Sequence, residues 1–362
     1  MTKKKDELFM RQCIKLAKKG FTSPNPMVGA VIVKNGAVIA EGYHKQAGKP
    51  HAEIEALRKA GKKAEGATMY VNLEPCCHFG KTPPCTKAII KAGIKEVAAA
   101  TKDPNPLVAG NGLRELNKAG IKTRHGILKK EAQPLNEAFI HYMTKKTPYV
   151  TLKMATTLDG KTATSTGESK WITGEKSRRN VHEMRARNDA IIVGVNTILK
   201  DNPTLTTHKI SKKDPLKAIL DSHLRTPPTA KILKEGKTII FTTPQHNPNK
   251  RIHLESKGAK IIVTNAKNGR TNIKDAVKTL GKLGITSILI EGGSEVAADA
   301  LKEKVVHKVV FYVAPKIIGG RRSKPAVGGE GVASLSKAYR IREFSAEPCG
   351  EDIILSGYVQ VG

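Results

Sequence analysis

Two α/β domains joined near residue 147 are the fold class this sequence predicts, and three observations predict it. The 362 residues exceed one ordinary domain and suit two, each able to bury its own core. In both halves short β-branched runs alternate with helix-like segments, the pattern of layered α/β architecture. Between them Met143 to Pro148 reads MTKKTP, where periodicity gives way to polar residues and a proline. A linker is expected there, with domains at 1–146 and 147–362. No repeat of solenoid period is visible and the halves share no motif, so two different chemistries are expected.

Taken in order, Asp6 to Lys19 has helical apolar spacing and stops at Gly20. VGAVIV, Asn35-Gly36 and AVIAEG read as a hairpin with a type I′ turn. AEIEALRKAG is a helix starting directly after His51, and the strand ATMYVNL delivers Glu74, Pro75 and Cys76 to its carboxyl end. TPPCTKAIIKAG places Cys85 at the next helix start. EVAAAT, NGLRELNKAG, IKTRHG and EAQPLNEAFIHYM complete the first domain. In the second, YVTLKMA, AIIVGV, KAILD, KTIIF, AKIIVT, SILIE and KVVFYVA are short strands separated by helices or loops.

The chemistry concentrates in HAE and EPCCHFGKTPPC. One imidazole (His51) and two thiolates (Cys76 and Cys85) can hold zinc with the fourth position open, which distinguishes a catalytic from a structural site. Both helix starts favour the anionic thiolate and hydroxide forms. Glu53, two residues past the histidine, can then carry protons without being a ligand, as in the zinc deaminases of amino-pyrimidines and purines. Cys77 is assigned as a spectator, and Cys13 and Cys349 as small packing residues. In the second half SILIEGGSEVAADALKE is a strand, a Gly-Gly turn and a helix whose first amides could cradle a pyrophosphate. It is not a GxGxxG fingerprint, which disfavours ordinary Rossmann binding.

Composition narrows the partners. Five cysteines are an odd number in a chain of this size and argue against a secreted disulfide framework. The basic start MTKKKDELFMRQ lacks the apolar core of a signal peptide, and no run approaches the roughly 18 apolar residues of a membrane helix. A soluble cytoplasmic protein without membrane contact is expected. Lys and Arg number 63 against 32 Asp and Glu, giving +31. These charges are scattered rather than gathered into a stripe, and only 4% of the chain is aromatic, so a solvated basic surface is expected over a nucleic-acid face, and such a field would also steer anionic, phosphorylated small substrates. A homo-oligomer is expected.

SPNPMVGAVIV, the HAE segment, LEPCCHFGKTPPC and DPNPLVAGNG closely resemble the bifunctional riboflavin-biosynthesis deaminase/reductase family, as do TLKMATTLDGKTATSTGESKWITG and VHEMRARNDAIIVGVNTILKDNPTLTT farther on. Nucleoside and tRNA deaminases typically carry PCxxC, whereas eight residues separate Cys76 from Cys85 here. The resemblance covers essentially the whole chain. It implies a cytidine-deaminase-like α/β/α layered domain followed by a dihydrofolate-reductase-like α/β domain. Zn2+ would serve removal of the 2-amino group of a diaminopyrimidinone ribosylamino 5′-phosphate, and NADPH the reduction of its ribosyl group to ribityl.

By resemblance, Asn25, His44, His78, Lys81, Asp103 and Asn105 line the first substrate pocket. Asn25, Asp103 and Asn105 adjoin prolines and can equally be turn residues. Ala155, Trp171, Thr197, Asp201, Ser222, Gly293, Ser294, Glu295, Val296, Ala297, Ala298 and Asp299 would contact NADPH. Ser169, Arg185, Leu205, His208 and Glu291 would hold the second substrate, with Arg185 a natural phosphate partner. Where the family commonly has arginine, this chain has His208, only partly charged near neutral pH. No residue in this half stands out as a proton donor; Asp201 and Glu291 are candidates. The competing readings are a tRNA or nucleoside deaminase with an accessory domain, and a basic nucleic-acid-binding protein with a structural zinc.

Overall fold

Alternation along the strands decides how each half is layered. In the computed structural model, which describes residues 2–79 and 83–360, the chain divides into two units between Lys146 and Thr147. The first comprises α1 (Lys3–Ala17), β1 (Gly29–Lys34), β2 (Ala37–Tyr43), α2 (Ala52–Ala60), β3 (Thr68–Leu73), α3 (Cys85–Lys91), β4 (Glu96–Thr101), α4 (Asn111–Lys118), β5 (Lys122–His125), α5 (Lys129–Ala132) and α6 (Glu137–Lys145). Its sheet has the order β2-β1-β3-β4-β5, antiparallel across β2, β1 and β3 and parallel from β3 to β5. Ala30, Ile32, Met69, Val71, Val97 and Ala99 face Ala52, Ala56, Ile89, Leu113 and Leu116 of α2, α3 and α4. Their neighbours Val31, Val33, Tyr70, Ala98 and Ala100 face Phe9, Met10 and Cys13 of α1 on the other side. Asn35 and Gly36 both have positive φ, as a type I′ turn requires.

Close packing fixes where α2 begins. A Cβ on Gly42 would lie 2.2 Å from the carbonyl oxygen of Ala52, so only glycine lets α2 rest directly on β2. That contact sets the position of His51, the residue capping α2.

Across the opposite face, Arg124 of β5 makes two hydrogen bonds to Asp6 of α1, at 2.6 and 3.1 Å, and one to Glu96 at 2.5 Å. The Tyr70 hydroxyl donates to the same Asp6 carboxylate at 2.5 Å. The Arg124 hydrogen bonds hold the Asp6 carboxyl below its ordinary value of 3.8. Arg124→Met leaves Asp6 with Tyr70 and should destabilise this unit by on the order of 2 kcal/mol, measured by urea unfolding at pH 7. A carboxyl depressed in the folded state contributes stability that is present above its unfolded pKa and lost as pH falls through the folded one. The gap between variant and parent should therefore close below about pH 4.

The second unit contains β6 (Tyr149–Thr157), β7 (Lys161–Ala163), α7 (Glu175–Arg187), β8 (Ala190–Gly194), α8 (Val195–Asp201), β9 (Leu216–Leu220), α9 (Lys231–Lys234), β10 (Thr238–Thr242), α10 (Pro248–Ser256) and β11 (Ala259–Val263). It continues through β12 (Ala266–Lys267), β13 (Arg270–Thr271), α11 (Ile273–Lys282), β14 (Ser287–Glu291), α12 (Ser294–Lys302), β15 (Lys308–Ala314), β16 (Lys324–Pro325), β17 (Ile341–Cys349) and β18 (Asp352–Val359). The main sheet runs β11-β10-β9-β8-β14-β6-β15-β18-β17, parallel except at β18 and β17. Ile192, Ile288, Ile290 and Leu152 pack on α11 and α12, while Ile191, Val193, Ile219 and Leu289 pack towards α8, α9 and α10. After moving outward from β8 to β11 the chain returns to insert β14 between β8 and β6. A crevice opens at such a reversal, outside the carboxyl ends of the strands.

Three expectations shift. Helix α6 runs to Lys145, into the stretch expected as linker. The first helix starts earlier than expected, at Lys3, and ends at Ala17. The β17–β18 hairpin was not anticipated; β17 is mostly exposed, and Cys349 at its end is only partly buried rather than a core residue. Among the described residues no helix is long and apolar enough to cross a membrane.

Candidate active sites

In the first unit three elements converge at the carboxyl end of β3. His51 caps α2, Cys76 follows β3, and Cys85 opens α3. His51 Nδ1 is 3.3 Å from Cys85 Sγ and 3.6 Å from Cys76 Sγ, and the three donor atoms lie within 4.8 Å of one another. Tetrahedral zinc with these donors separates nitrogen from sulfur by about 3.6 Å, given the usual bond lengths. The donor set therefore suits zinc, and it is the only such group among the described residues. Hydrogen bonding from the Cys85 thiol and from His51 brings Cys76 down to about 4, whereas the same bond and burial push Cys85 up. The Cys76 thiolate also raises His51. Glu53, in the first turn of α2, is 3% exposed, and burial lifts it to about 7.

Of the other residues expected to line this pocket, Asn25 and His44 adjoin the cluster. Asn25 Nδ2 is 3.2 Å from His44 Nε2, and the His44 ring meets that of His51 edge-on at 5.2 Å. Burial lowers His44. His78 Nδ1 is buried with no hydrogen-bond partner among the described residues, a nitrogen available to a ligand. Asp103 is buried, which raises it to about 7. Its Oδ1 accepts the amide of Asn105 at 2.8 Å, and Asn105 Oδ1 accepts that of Leu107 at 3.1 Å, so both also serve as turn residues. Cys77 stands outside the ligand group with its thiol 3.8 Å from the Leu107 carbonyl. Lys81 lies outside the described residues.

The crevice of the second unit is a cleft of about 1260 Å³. Ala155, Ser169, Trp171, Arg185, Thr197, Asp201, Leu205, His208, Ser222, Glu291, Gly293, Ser294, Glu295, Val296 and Asp299 all line it. Gly292 and Gly293 have φ of 79° and 81°, left-handed values that turn the chain from β14 into α12 with its first amides exposed to the cleft. Such an opening suits a dinucleotide pyrophosphate. Two residues of the expected run do not line it. Ala297 is fully buried in the core, and Ala298 is absent from the cleft wall and faces Gly329. Trp171 is 66% exposed with Arg178 4.6 Å over its ring, so it is not core filling.

Arg185 is not a free phosphate partner. Its Nε and Nη2 donate to the two oxygens of Glu291 at 2.7 and 2.9 Å, and Nη1 donates to the Thr206 carbonyl at 3.2 Å. Burial disfavours both charges, yet Arg185 holds Glu291 below its ordinary value. The His208 ring lies 4.1 Å from that of His182 at a tilt of 36°; His182 is a cleft residue the sequence reading missed, and burial brings it down to about 4. Lys153 of β6 was missed as well. It lines the cleft near Glu291, and burial makes its ammonium easier to deprotonate. A lone lysine inside the apolar run YVTLKMA was the available signal.

Residues 3–101 match the family described as the cytidine and deoxycytidylate deaminase zinc-binding region, and residues 148–355 match the RibD C-terminal domain. The chain is 45% identical to the riboflavin biosynthesis protein RibD of Actinobacillus pleuropneumoniae, across 96% of this chain and 93% of that protein. It is 44% identical to RibD of Aquifex aeolicus, across 98% and 99%. Acinetobacter baumannii RibD superposes with a TM-score of 0.87 at 38% identity, covering 99% of this chain and 100% of that one. A Thermotoga maritima diaminohydroxyphosphoribosylaminopyrimidine deaminase/5-amino-6-(5-phosphoribosylamino)uracil reductase does so with 0.85 at 37%, covering 99% of each.

Proposed function

The chain belongs to the RibD family of riboflavin biosynthesis proteins, and from that premise we propose that His51, Cys76, Cys85 and Glu53 carry its deaminase reaction and the cleft of its second unit the reductase reaction. The observation that carries this reading is the coexistence, in one chain, of an open zinc donor set beside a buried carboxyl and a separate cleft suited to a dinucleotide. The first half has the cytidine-deaminase-like fold and the second the dihydrofolate-reductase-like one. Nucleoside deamination and nucleic-acid binding give way to this reading because the family match spans both halves.

The first substrate is the 2,5-diamino-6-ribosylamino-4(3H)-pyrimidinone 5′-phosphate. His51, Cys76 and Cys85 would hold zinc, which would supply the Lewis acidity that activates water near neutral pH and would favour the thiolate and carboxylate forms around it. Glu53 takes the proton of the attacking water and returns it to the departing 2-amino nitrogen, so that water and amine become carbonyl and ammonia. Asn25, His44, His78 and Asp103 offer amide, imidazole and carboxyl groups to the polar ring edge.

Bound NADPH would supply the hydride that reduces C1′ of the opened ribose. The α12 amides and the Gly292-Gly293 turn would hold its phosphates, and Thr197, Ser222 and Trp171 line the cleft. The reduced carbon's neighbouring heteroatom needs a proton, and Lys153 is the cleft group best able to give one, with Glu291 kept ionised beside it. Lys153→Met should lower reductase kcat by about 10²-fold or more while NADPH affinity and deamination stay unchanged. In the parent protein, the test is turnover of each supplied substrate separately. Reduction of the deaminated substrate that proceeds without a nicotinamide cofactor would make the second assignment wrong.

Cytoplasmic location and self-association belong to the same reading. Five cysteines, none of them in a disulfide, support the first. Phe344 and Ile353, 63% and 49% exposed on the β17–β18 hairpin, support the second, which the mass in solution tests.

A further inference from the structure

We propose that Glu74 is a positioning residue of the deaminase pocket: it ties the loop bearing Asp103 and Asn105 to the strand that delivers Cys76. The proposal rests on the assignment of Asp103 to that pocket. Glu74 directly follows β3 and is 2% exposed. Its Oε2 accepts the amides of Asp103 at 3.1 Å and Gly110 at 3.0 Å, and its Oε1 accepts that of Leu113 at 3.1 Å. One carboxylate thus gathers both ends of the 103–110 segment and the first turn of α4. Its own amide donates to the Thr101 carbonyl at 2.9 Å, which fixes the end of β3 to the end of β4.

The backbone beside it is equally committed. A Cβ on Gly112 would lie 2.2 Å from the Pro75 carbonyl oxygen and 3.2 Å from Glu74 Oε1, so α4 rests against the residue that precedes Cys76. A buried carboxyl group accepting several amides is a strong clamp, because the bonds are made in a site with little competing water. The 103–110 segment carries no helix or strand of its own and turns on the Asp103 and Asn105 side chains. Without the clamp those turns persist but their placement relative to Cys76 does not. The pocket then spends part of its time in arrangements that do not receive substrate, and apparent affinity falls by the fraction lost.

Glu74→Gln tests this in the full chain with zinc loaded. The amide is isosteric but has one acceptor oxygen for three donors: with that oxygen at the Oε2 position an NH2 group meets the Leu113 amide, and the repulsion loosens the segment that the Asp103 and Gly110 bonds hold. The expected result is a KM for the pyrimidine substrate raised about tenfold, with kcat within about twofold and zinc content unchanged. Asp103→Ala should raise KM by itself, and in that background Glu74→Gln should add less than about twofold, because both act through one contact. Retained zinc and reductase turnover report that the variants are folded. An unchanged KM in Glu74→Gln, even with a lower melting temperature, overturns the proposal, as does full additivity with Asp103→Ala. An unchanged KM in Asp103→Ala overturns the pocket assignment and the proposal with it.

Discussion

Glu53→Gln should lower deamination by roughly 10³- to 10⁴-fold while the protein keeps its zinc and its reductase activity. The carboxyl is buried in the first turn of α2; burial raises it to about 7 and the charge of a bound zinc would lower it again, so one group can both accept and return a proton. Glutamine fills the same space and can do neither. His51, Cys76 and Cys85 are untouched by the change, so metal content is the control that separates chemistry from assembly. Steady-state turnover with the diaminopyrimidinone substrate and zinc analysis of the same preparation are the two measurements. Substantial retained turnover would show that another group moves the proton, and lost zinc would show that Glu53 belongs to the ligand set.

Arg185→Met should cost the second unit about 3 kcal/mol and abolish most reductase activity. The guanidinium makes a two-pronged contact with Glu291 in a buried setting, and removing it leaves a carboxylate with Lys153 as its remaining cationic neighbour. Glu291→Gln in the same chain should restore at least half of the lost stability, since the uncompensated charge is gone, yet it should restore no activity. Calorimetry of the two variants reads the first part and NADPH oxidation the second. The sign with pH follows from Glu291 being depressed when folded. Its contribution in the parent is present above its ordinary value of 4.5 and lost as pH falls through the folded pKa. A variant as stable as the parent at pH 7 would mean that the pair is solvated rather than buried.

Much of this was legible in the sequence because it depends on local pattern. Apolar runs such as AIIVG and SILIE are strands buried on both faces, and they form the centre of the second sheet. HAE and the two cysteine segments also announce themselves, because metal ligation demands specific residue types and helix starts place them. What escaped notice depends on direction or on distant partners. A consecutive run from Gly293 to Asp299 looks like a continuous contact surface. A helix rotates about 100° per residue, which carries Ala297 into the core. His182 and Glu74 meet residues remote in sequence, so nothing beside them marks them out, and Lys153 shows only as a lone lysine in an apolar run. The β17 strand, IREFSAEPC, has too few apolar residues to stand out, as suits an exposed sheet edge.

Trp171 has one more consequence. It is the only tryptophan in the chain, and it stands two-thirds exposed on the wall of the reductase cleft. Intrinsic indole emission from this protein therefore comes from a single, already informative place. Reduced nicotinamide entering the cleft should quench it and accept its excitation energy. The protein carries an optical reporter for one of its two reactions, and a titration in plain buffer can follow cofactor occupancy without label or turnover.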